Sequence, residues 1–405
     1  MSKRANLEGS VFQTASGMWR GAIQTGNQGG KRKRVYVSAK TQREALQKIR
    51  EIKRSLDQGV KVDGPRTLLS LWSDCWLENQ KHSLRAKSYT SYEYQLRQHI
   101  KPALGHLSLG RVQPQPIREF LRQKLEGGLS ATTVNHFRVT LKVLLNAAVH
   151  DGMIARNPIV AVKPIRAPKR QPQVLDLDQA QIFMQSLQGG RLRALYLAAV
   201  GLGLREGEIL GLRWCDVDLE EGSLHVRHAL QRVRLPGEAN TRLHLVEPKS
   251  KRSRRKLFMP AVVRSALAGH KLQQDAERCH AGDAWVDTDF VFATQIGTPL
   301  DPRNLLKDFK LKLVSAGLPE MRFHDLRHSA ASLLVSQGAD PRIVMETLGH
   351  SQISITMDLY GHVFESVKRG TAELMDRALT PPRLSTAPDP VAADLAAKTT
   401  ETKPN

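Results

Sequence analysis

Three cysteines in 405 residues (Cys75, Cys215 and Cys279) are too scattered and too odd in number for a disulfide framework or a zinc knuckle. Acidic residues are also short: 39 Asp and Glu stand against 61 Lys and Arg, for a formal charge of +22. That imbalance implies a polyanionic partner. No basic amphipathic helix stands out, so nucleic acid is the expected partner and a membrane surface is not. Apolar runs of bilayer-spanning length, roughly 20 residues, are missing, and the first six residues hold no apolar signal-like stretch. The expectation is a soluble, cytoplasmic protein with no membrane partner. What is present is enough apolar sequence for real cores, 40%, and enough length for two or three domains.

Three blocks and a tail are predicted, an α+β multidomain chain. In 1–62, Val11-Phe12, then Met18 to Ile23, then Lys33 to Val37 read as short strands separated by turn-rich stretches. A helix follows from Thr41, with Glu44 at capping-box spacing and a stripe of Ala45, Ile49, Ile52 and Leu56. This block carries 14 Lys and Arg against 4 Asp and Glu up to Lys61, a net +10. Residues 66–165 read as an all-α bundle, clearest in 132–150, where Val134, Phe137, Leu141, Leu144, Leu145 and Ala148 form one stripe. A basic, proline-rich linker over 166–172 leads to 173–378, mainly α with a small β-sheet. The remainder, 379–405, loses periodicity and reads as a disordered tail.

The chemistry concentrates in the third block. In His324-Asp325-Leu326-Arg327, the histidine and arginine lie three residues apart, on one face of a helix expected to begin near Asp325. Both could then address one phosphate, aided by the backbone N–H groups of the first turn. His350 follows Leu348-Gly349, just past a helix opened by Asp340-Pro341. Tyr360 lies ten residues further on, before Gly361. A tyrosine phenolate can attack a phosphodiester and hold the strand as a phosphotyrosine, with Arg and His neutralising the phosphoryl oxygens, and no metal or cofactor is expected. Upstream, Arg205 sits where Gly201 and Gly203 break an apolar helix, placed to offer a planar fork to two phosphate oxygens. Its alternative is an ion pair with Glu206 or Glu208, and Glu208 itself reads as a carboxylate that holds the site together. Segments 242–246 and 256–259 read as strands joined by a basic turn that contains Lys249 and Lys251. His328 makes an i, i+4 pair with His324 but has no accompanying Glu in the zinc-protease manner, so it reads as structural.

Arg205, a lysine, His324-x-x-Arg327, His350 and Tyr360, in that order, resemble the tyrosine recombinases, the phage-integrase family, over about residues 7–378. Leu210, Leu212, Trp214, Asp216 and Asp218 extend the likeness. The resemblance implies that 1–62 is an arm-type DNA-binding domain, whose sheet can enter a major groove. It implies that 66–165 is a SAM-like core-binding domain and 173–378 the catalytic domain. It implies catalytic Arg205, Lys249, His324, Arg327 and His350, with Tyr360 the nucleophile. Lys249 is the expected general acid for the departing 5′ oxygen, and Lys251, offset by two, stays open for that role. Implied partners are double-stranded DNA at attachment sites, a homotetramer in the synaptic complex, and a directionality factor or host DNA-bending protein. The expected function is integration and excision of a phage or other mobile element. A chromosome-dimer resolvase of the same family, which normally lacks the first block, and an inactive DNA-binding regulator are the alternatives.

Overall fold

The computed structural model describes residues 10–28, 31–57, 59–61, 64–168, 171–235, 238–248, 253–349 and 379, with backbone alone for 25–28 and 31–33. The fold is α+β. Contacts divide it into two compact units, 1–170 together with 233–242, and 171–232 together with 243–405.

The first unit opens with β1 (Ser10–Gln13), β2 (Trp19–Gln28) and β3 (Lys31–Ala39), an antiparallel sheet in that order, followed by α1 (Gln42–Asp57). The alternation of β3 explains the packing: Val37 and Ala39 are buried while Arg34, Tyr36 and Ser38 are exposed. Ile23, Val37 and Ile49 form the small core between sheet and helix. Gly21 allows the approach, since a Cβ there would lie 2.6 Å from Ile49 Cδ1. At the entrance to α1, Glu44 N–H donates to Thr41 Oγ1 at 3.2 Å, half of the expected capping box. The Glu44 carboxylate accepts instead from Lys40 N–H.

A second core in the same unit is helical. It is built from α2 (Leu69–Gln80), α3 (Ala86–Gln95), α4 (Lys101–Leu104), α5 (Pro114–Glu126) and α6 (Ala131–His150). The predicted stripe of α6 is buried throughout, and Ser130 caps the helix by accepting from Thr133 N–H at 3.2 Å. One π-helical turn, Leu96–Ile100, joins α3 to α4 just before Pro102 and is closed by a Lys101 N–H bond to the Leu96 carbonyl. The first two sequence blocks therefore have separate cores within one contact unit, linked by Lys61 N–H to the Gly152 carbonyl at 2.6 Å. Segment 233–242 belongs to this unit as well, with Arg234 paired to Glu93 and its carbonyl accepting from Thr90 Oγ1.

The second unit comprises α7 (Leu177–Ser186), α8 (Arg193–Leu202), α9 (Glu206–Leu210), β4 (Val217–Asp218), β5 (Ser223–Val226), β6 (Ala229–Val233) and β7 (Arg242–Val246) apart from the end residues Val233 and Arg242, β8 (Arg255–Phe258), α10 (Ala261–Ala281), α11 (Pro302–Ser315), α12 (Phe323–Ser336) and α13 (Pro341–Leu348). Six consecutive residues of α8, Ala194 to Ala199, are buried, so it is a central helix covered on all sides, including by α10 and α12.

The expected pairing of 242–246 with 256–259 does not occur. β8 pairs with β5, with Leu224 opposite Leu257, and β7 pairs with β6, a strand the sequence reading did not place. The reason is burial. Leu224, Val226 and Leu257 carry one apolar face into the main core, whereas β7 buries no residue fully, with Arg242 and Leu245 exposed and the rest half-buried, and suits a two-stranded ribbon. β7 and β8 thus belong to two different sheets and do not form a hairpin. Residues 249–252, with Lys249 and Lys251, lie outside the described residues, as do 350–378, with His350 and Tyr360, and the tail expectation for 380–405.

Candidate active site

Arg205 is placed by a glycine. α8 stops at Leu202 because Gly203 adopts a left-handed conformation, φ 58°. A Cβ at Gly203 would lie 2.2 Å from Leu348 Cδ2, so the turn admits no side chain and keeps α13 tight against it. Two residues on, Arg205 is the extended residue preceding α9. Its Nη1 donates to Glu208 Oε1 at 2.5 Å, its Nη2 donates to the Gly349 carbonyl at 2.9 Å, and its N–H donates to Glu208 Oε2. The ion pair held open by the sequence is therefore formed, with Glu208.

Arg327 is buried, 1% exposed, in α12. The helix begins at Phe323, two residues before the expected start, because Asp325 caps it: the carboxylate accepts from Arg322 N–H at 3.0 Å and from its guanidinium at 2.8 Å. Arg327 is accordingly the fifth helical residue and lies beyond the first turn. Its Nη1 donates to the Gly203 carbonyl at 2.6 Å and its Nη2 to the Leu348 carbonyl.

A third arginine completes the arrangement. Arg255, at the start of β8, donates from Nε to the Thr347 carbonyl at 2.6 Å, from Nη1 to the Ser253 carbonyl and from Nη2 to Glu208 Oε2 at 3.0 Å. The successive carbonyls of Thr347, Leu348 and Gly349, at the carboxyl end of α13, each accept from a different arginine: Arg255, Arg327 and Arg205. Helix carboxyl ends leave such carbonyls without intrahelical partners, and cations there also meet the favourable end of the helix dipole. Asp340 fixes the other end of α13 by accepting from Arg342 N–H at 2.7 Å, with Pro341 at the first helical position and Gly349 left-handed at φ 65°, as the sequence implied. Two guanidiniums, Arg205 and Arg255, share the buried Glu208 carboxylate, and Arg327 adds a third at the neighbouring carbonyls, which leaves the site cationic, a field suited to a phosphate.

Burial pushes the Glu208 carboxyl upward, but Arg255 first and Arg205 second outweigh it, so its pKa falls below the ordinary carboxylate value. His324 is exposed as a residue, yet packing around its ring, then the charges of His328, Arg327 and Arg205, drive its pKa down to about 4 against the opposing pull of Asp325. The ring is neutral at pH 7. It meets His328 edge to face, centroids 5.0 Å apart, and burial depresses His328 too. Among the described residues, no group of three or more His, Cys, Asp or Glu is placed to hold a metal ion, and no helix is long and apolar enough to cross a membrane.

The structure thus brings Arg205, Arg327 and the segment leading to His350 together, with His324 within the field of both arginines. Sequence reading missed Arg255. The available signal was strand alternation: Arg255 shares a face with the apolar Leu257, two residues on, which is buried.

Residues 173–366 match the model of the phage integrase family, and 68–125 match the phage integrase N-terminal SAM-like domain. The chain is 31% identical over 364 residues to a XerC-like tyrosine recombinase of Caldanaerobacter subterraneus, covering 86% of this chain and 93% of that protein. It is 27% identical over 426 residues to an integrase of Saccharopolyspora erythraea, covering 93% and 97%. Its fold is similar to that of the Tn1549 transposon integrase solved with circular intermediate DNA, with a TM-score of 0.64 at 22% identity, over 76% of this chain and 99% of that one.

Proposed function

The chain belongs to the phage integrase family of tyrosine recombinases and is a site-specific recombinase, and on that premise we propose that it integrates and excises a phage or other mobile element. The observation that carries the reading is the convergence of Arg205 and Arg327 on the adjacent Gly349 and Leu348 carbonyls. In sequence these directly precede His350 and stand eleven and twelve residues before Tyr360.

In the proposed reaction the Tyr360 phenolate attacks the scissile phosphorus and forms a 3′-phosphotyrosine. The bond to the 5′ oxygen breaks, and Lys249 supplies the proton that makes the leaving group a 5′ hydroxyl. Arg205, Arg327 and His350 stabilise the charge on the phosphoryl oxygens as it develops. Neutral His324 is suited to accept a proton or a hydrogen bond and contributes no positive charge. Attack by a 5′ hydroxyl of a partner strand reverses the step. Two rounds in a homotetramer complete the exchange, with a directionality factor or host DNA-bending protein setting its direction.

A charged amino-terminal sheet supports an integrase over a chromosome-dimer resolvase, the second reading, which draws on the name of the Caldanaerobacter relative. The face of that sheet away from α1 presents Phe12, Arg20, Arg34 and Tyr36, with the Arg20 guanidinium 4.7 Å from the Tyr36 ring centre. Such a face suits accessory DNA sites. A recombinase that acts on chromosomal DNA works in the host cytoplasm, at the nucleoid, and that is the location proposed for this chain.

Covalent trapping tests the reading. A nicked duplex carrying the junction sequence of the element is incubated with the protein and resolved on a denaturing gel. A shifted band absent with Tyr360→Phe, while that variant still binds DNA, is the expected result. Equal trapping by Tyr360→Phe removes Tyr360 as nucleophile, and DNA binding without any trapping favours the inactive regulator.

A further inference from the structure

We propose that Arg255 is a positioning residue for strand cleavage: it neutralises Glu208, so that the charge of Arg205 stays available to the phosphate. The proposal rests on the reading that Arg205 contacts the scissile phosphate.

Burial separates the two arginines by task. The Arg205 side chain is 34% exposed, whereas those of Arg255 and Glu208 are 8% and 4% exposed. Arg205 can meet a ligand from solvent; Arg255 is spent inside the protein. The Glu208 carboxylate lies between them, with Oε1 on Arg205 and Oε2 on Arg255. Each guanidinium also reaches the end of α13, Arg255 at Thr347 and Arg205 at Gly349. The result is a closed ring: Arg255, Glu208, Arg205, then back through Gly349 and Thr347.

Charge balance gives the ring a function. A buried carboxylate needs one full positive charge close by. With Arg255 present, that need is met from inside the protein, and the second guanidinium adds net positive charge facing the ligand. With Arg255 removed, Arg205 becomes the sole counter-ion of Glu208, and a phosphate then competes with a buried carboxylate for it. The fork of Arg255 further matches a carboxylate on one edge and a helix-end carbonyl on another, which an ammonium matches less well.

The experiment measures single-turnover covalent trapping on the nicked junction duplex at saturating protein, with DNA affinity and urea unfolding measured in parallel. Arg255→Met is expected to lower the cleavage rate constant about 100-fold, the scale seen for removing one preorganised transition-state contact, while DNA affinity stays within about 3-fold. Arg255→Lys, which retains the charge, is expected to recover at least tenfold of that loss. If Arg255→Met shows no cooperative unfolding, Arg255→Lys against wild type carries the test, with an expected loss of between about 3-fold and tenfold. The decisive arm is Glu208→Gln placed in the Arg255 variant: removing the unbalanced charge is expected to restore about tenfold in rate, a recovery that a mere packing role does not predict. A cleavage rate within about 3-fold of wild type for the Arg255 variant, a loss confined to DNA affinity, or no relief from Glu208→Gln overturns the proposal. Arg205→Lys is run alongside. Wild-type cleavage by that variant refutes the phosphate role of Arg205 itself, a separate failure.

Discussion

Arg327 donates from Nη1 to the carbonyl of Gly203 at 2.6 Å, although 124 residues separate them. The same guanidinium holds the Leu348 carbonyl, and Leu348 Cδ2 fills the space a Gly203 side chain would need. One left-handed glycine thus sets the spacing between the turn before Arg205 and the end of α13.

Gly203→Ala tests that spacing. The substitution places a Cβ in contact with Leu348 while retaining a positive φ, and the expected cost is roughly 1–3 kcal/mol of unfolding free energy. Urea unfolding reads the stability, and trapping on nicked DNA reads the site. Cleavage is expected to fall by more than the folded fraction accounts for. A variant as stable and as active as wild type would show that α13 accommodates the methyl group without moving the arginines.

Acid is expected to weaken the second unit through His270. Burial holds its pKa below the usual histidine value, and its Nε2 bonds to the Val291 carbonyl at 2.8 Å. A folded pKa below the unfolded one means that the unfolded chain takes up protons first as pH falls. The stability contribution is therefore complete above about pH 6.5, the unfolded value, and is lost as pH descends toward the depressed folded value. Urea midpoints measured from pH 7.5 to 5 should decline, and His270→Gln should flatten the decline. An unchanged slope in that variant would assign the acid sensitivity to other groups.

Local signals made much of this legible. The alternation of β3, the stripe of α6, and the Asp340-Pro341 and Gly349 brackets of α13 are each local, and each appears where the sequence implied. The partner of Arg205 was legible because Glu208 follows it by three residues. Strand pairing was less so, since β7 and β8 are near in sequence but each is paid in burial by a different neighbour, β6 or β5. Arg255 was hidden for a related reason: it sits in a run of basic residues, and only the tertiary approach of Thr347 and Glu208 separates it from charges facing water.

His324 is expected to remain neutral well below neutrality, because packing and the nearby arginines hold its pKa to about 4. Ring-nitrogen NMR shifts of the DNA-free protein at pH 6 should report a neutral imidazole at His324, with His324→Gln assigning the signal. In the same preparation His324→Gln should bind DNA normally and cleave more slowly, by about 10² if the ring takes part in proton transfer. A protonated ring at pH 6 would instead place His324 among the charges that stabilise the phosphoryl oxygens.

The exposed face of the amino-terminal sheet can be tested separately from the chemistry. If Arg20 and Arg34 each meet a DNA phosphate, each replacement by Ala removes one counter-ion release, and the slope of log affinity against log salt should shrink by about 1 per residue. The effect should appear on DNA carrying accessory sites and be absent on the short nicked junction duplex, whose cleavage depends on the second unit. Arg34 is the cleaner probe, since the Arg20 guanidinium also packs over Tyr36, and its loss would disturb the face as well as its charge. Equal slopes for both variants and wild type on the longer DNA would leave the +10 of this block as solvated surface charge and would shift the balance toward a resolvase-like role.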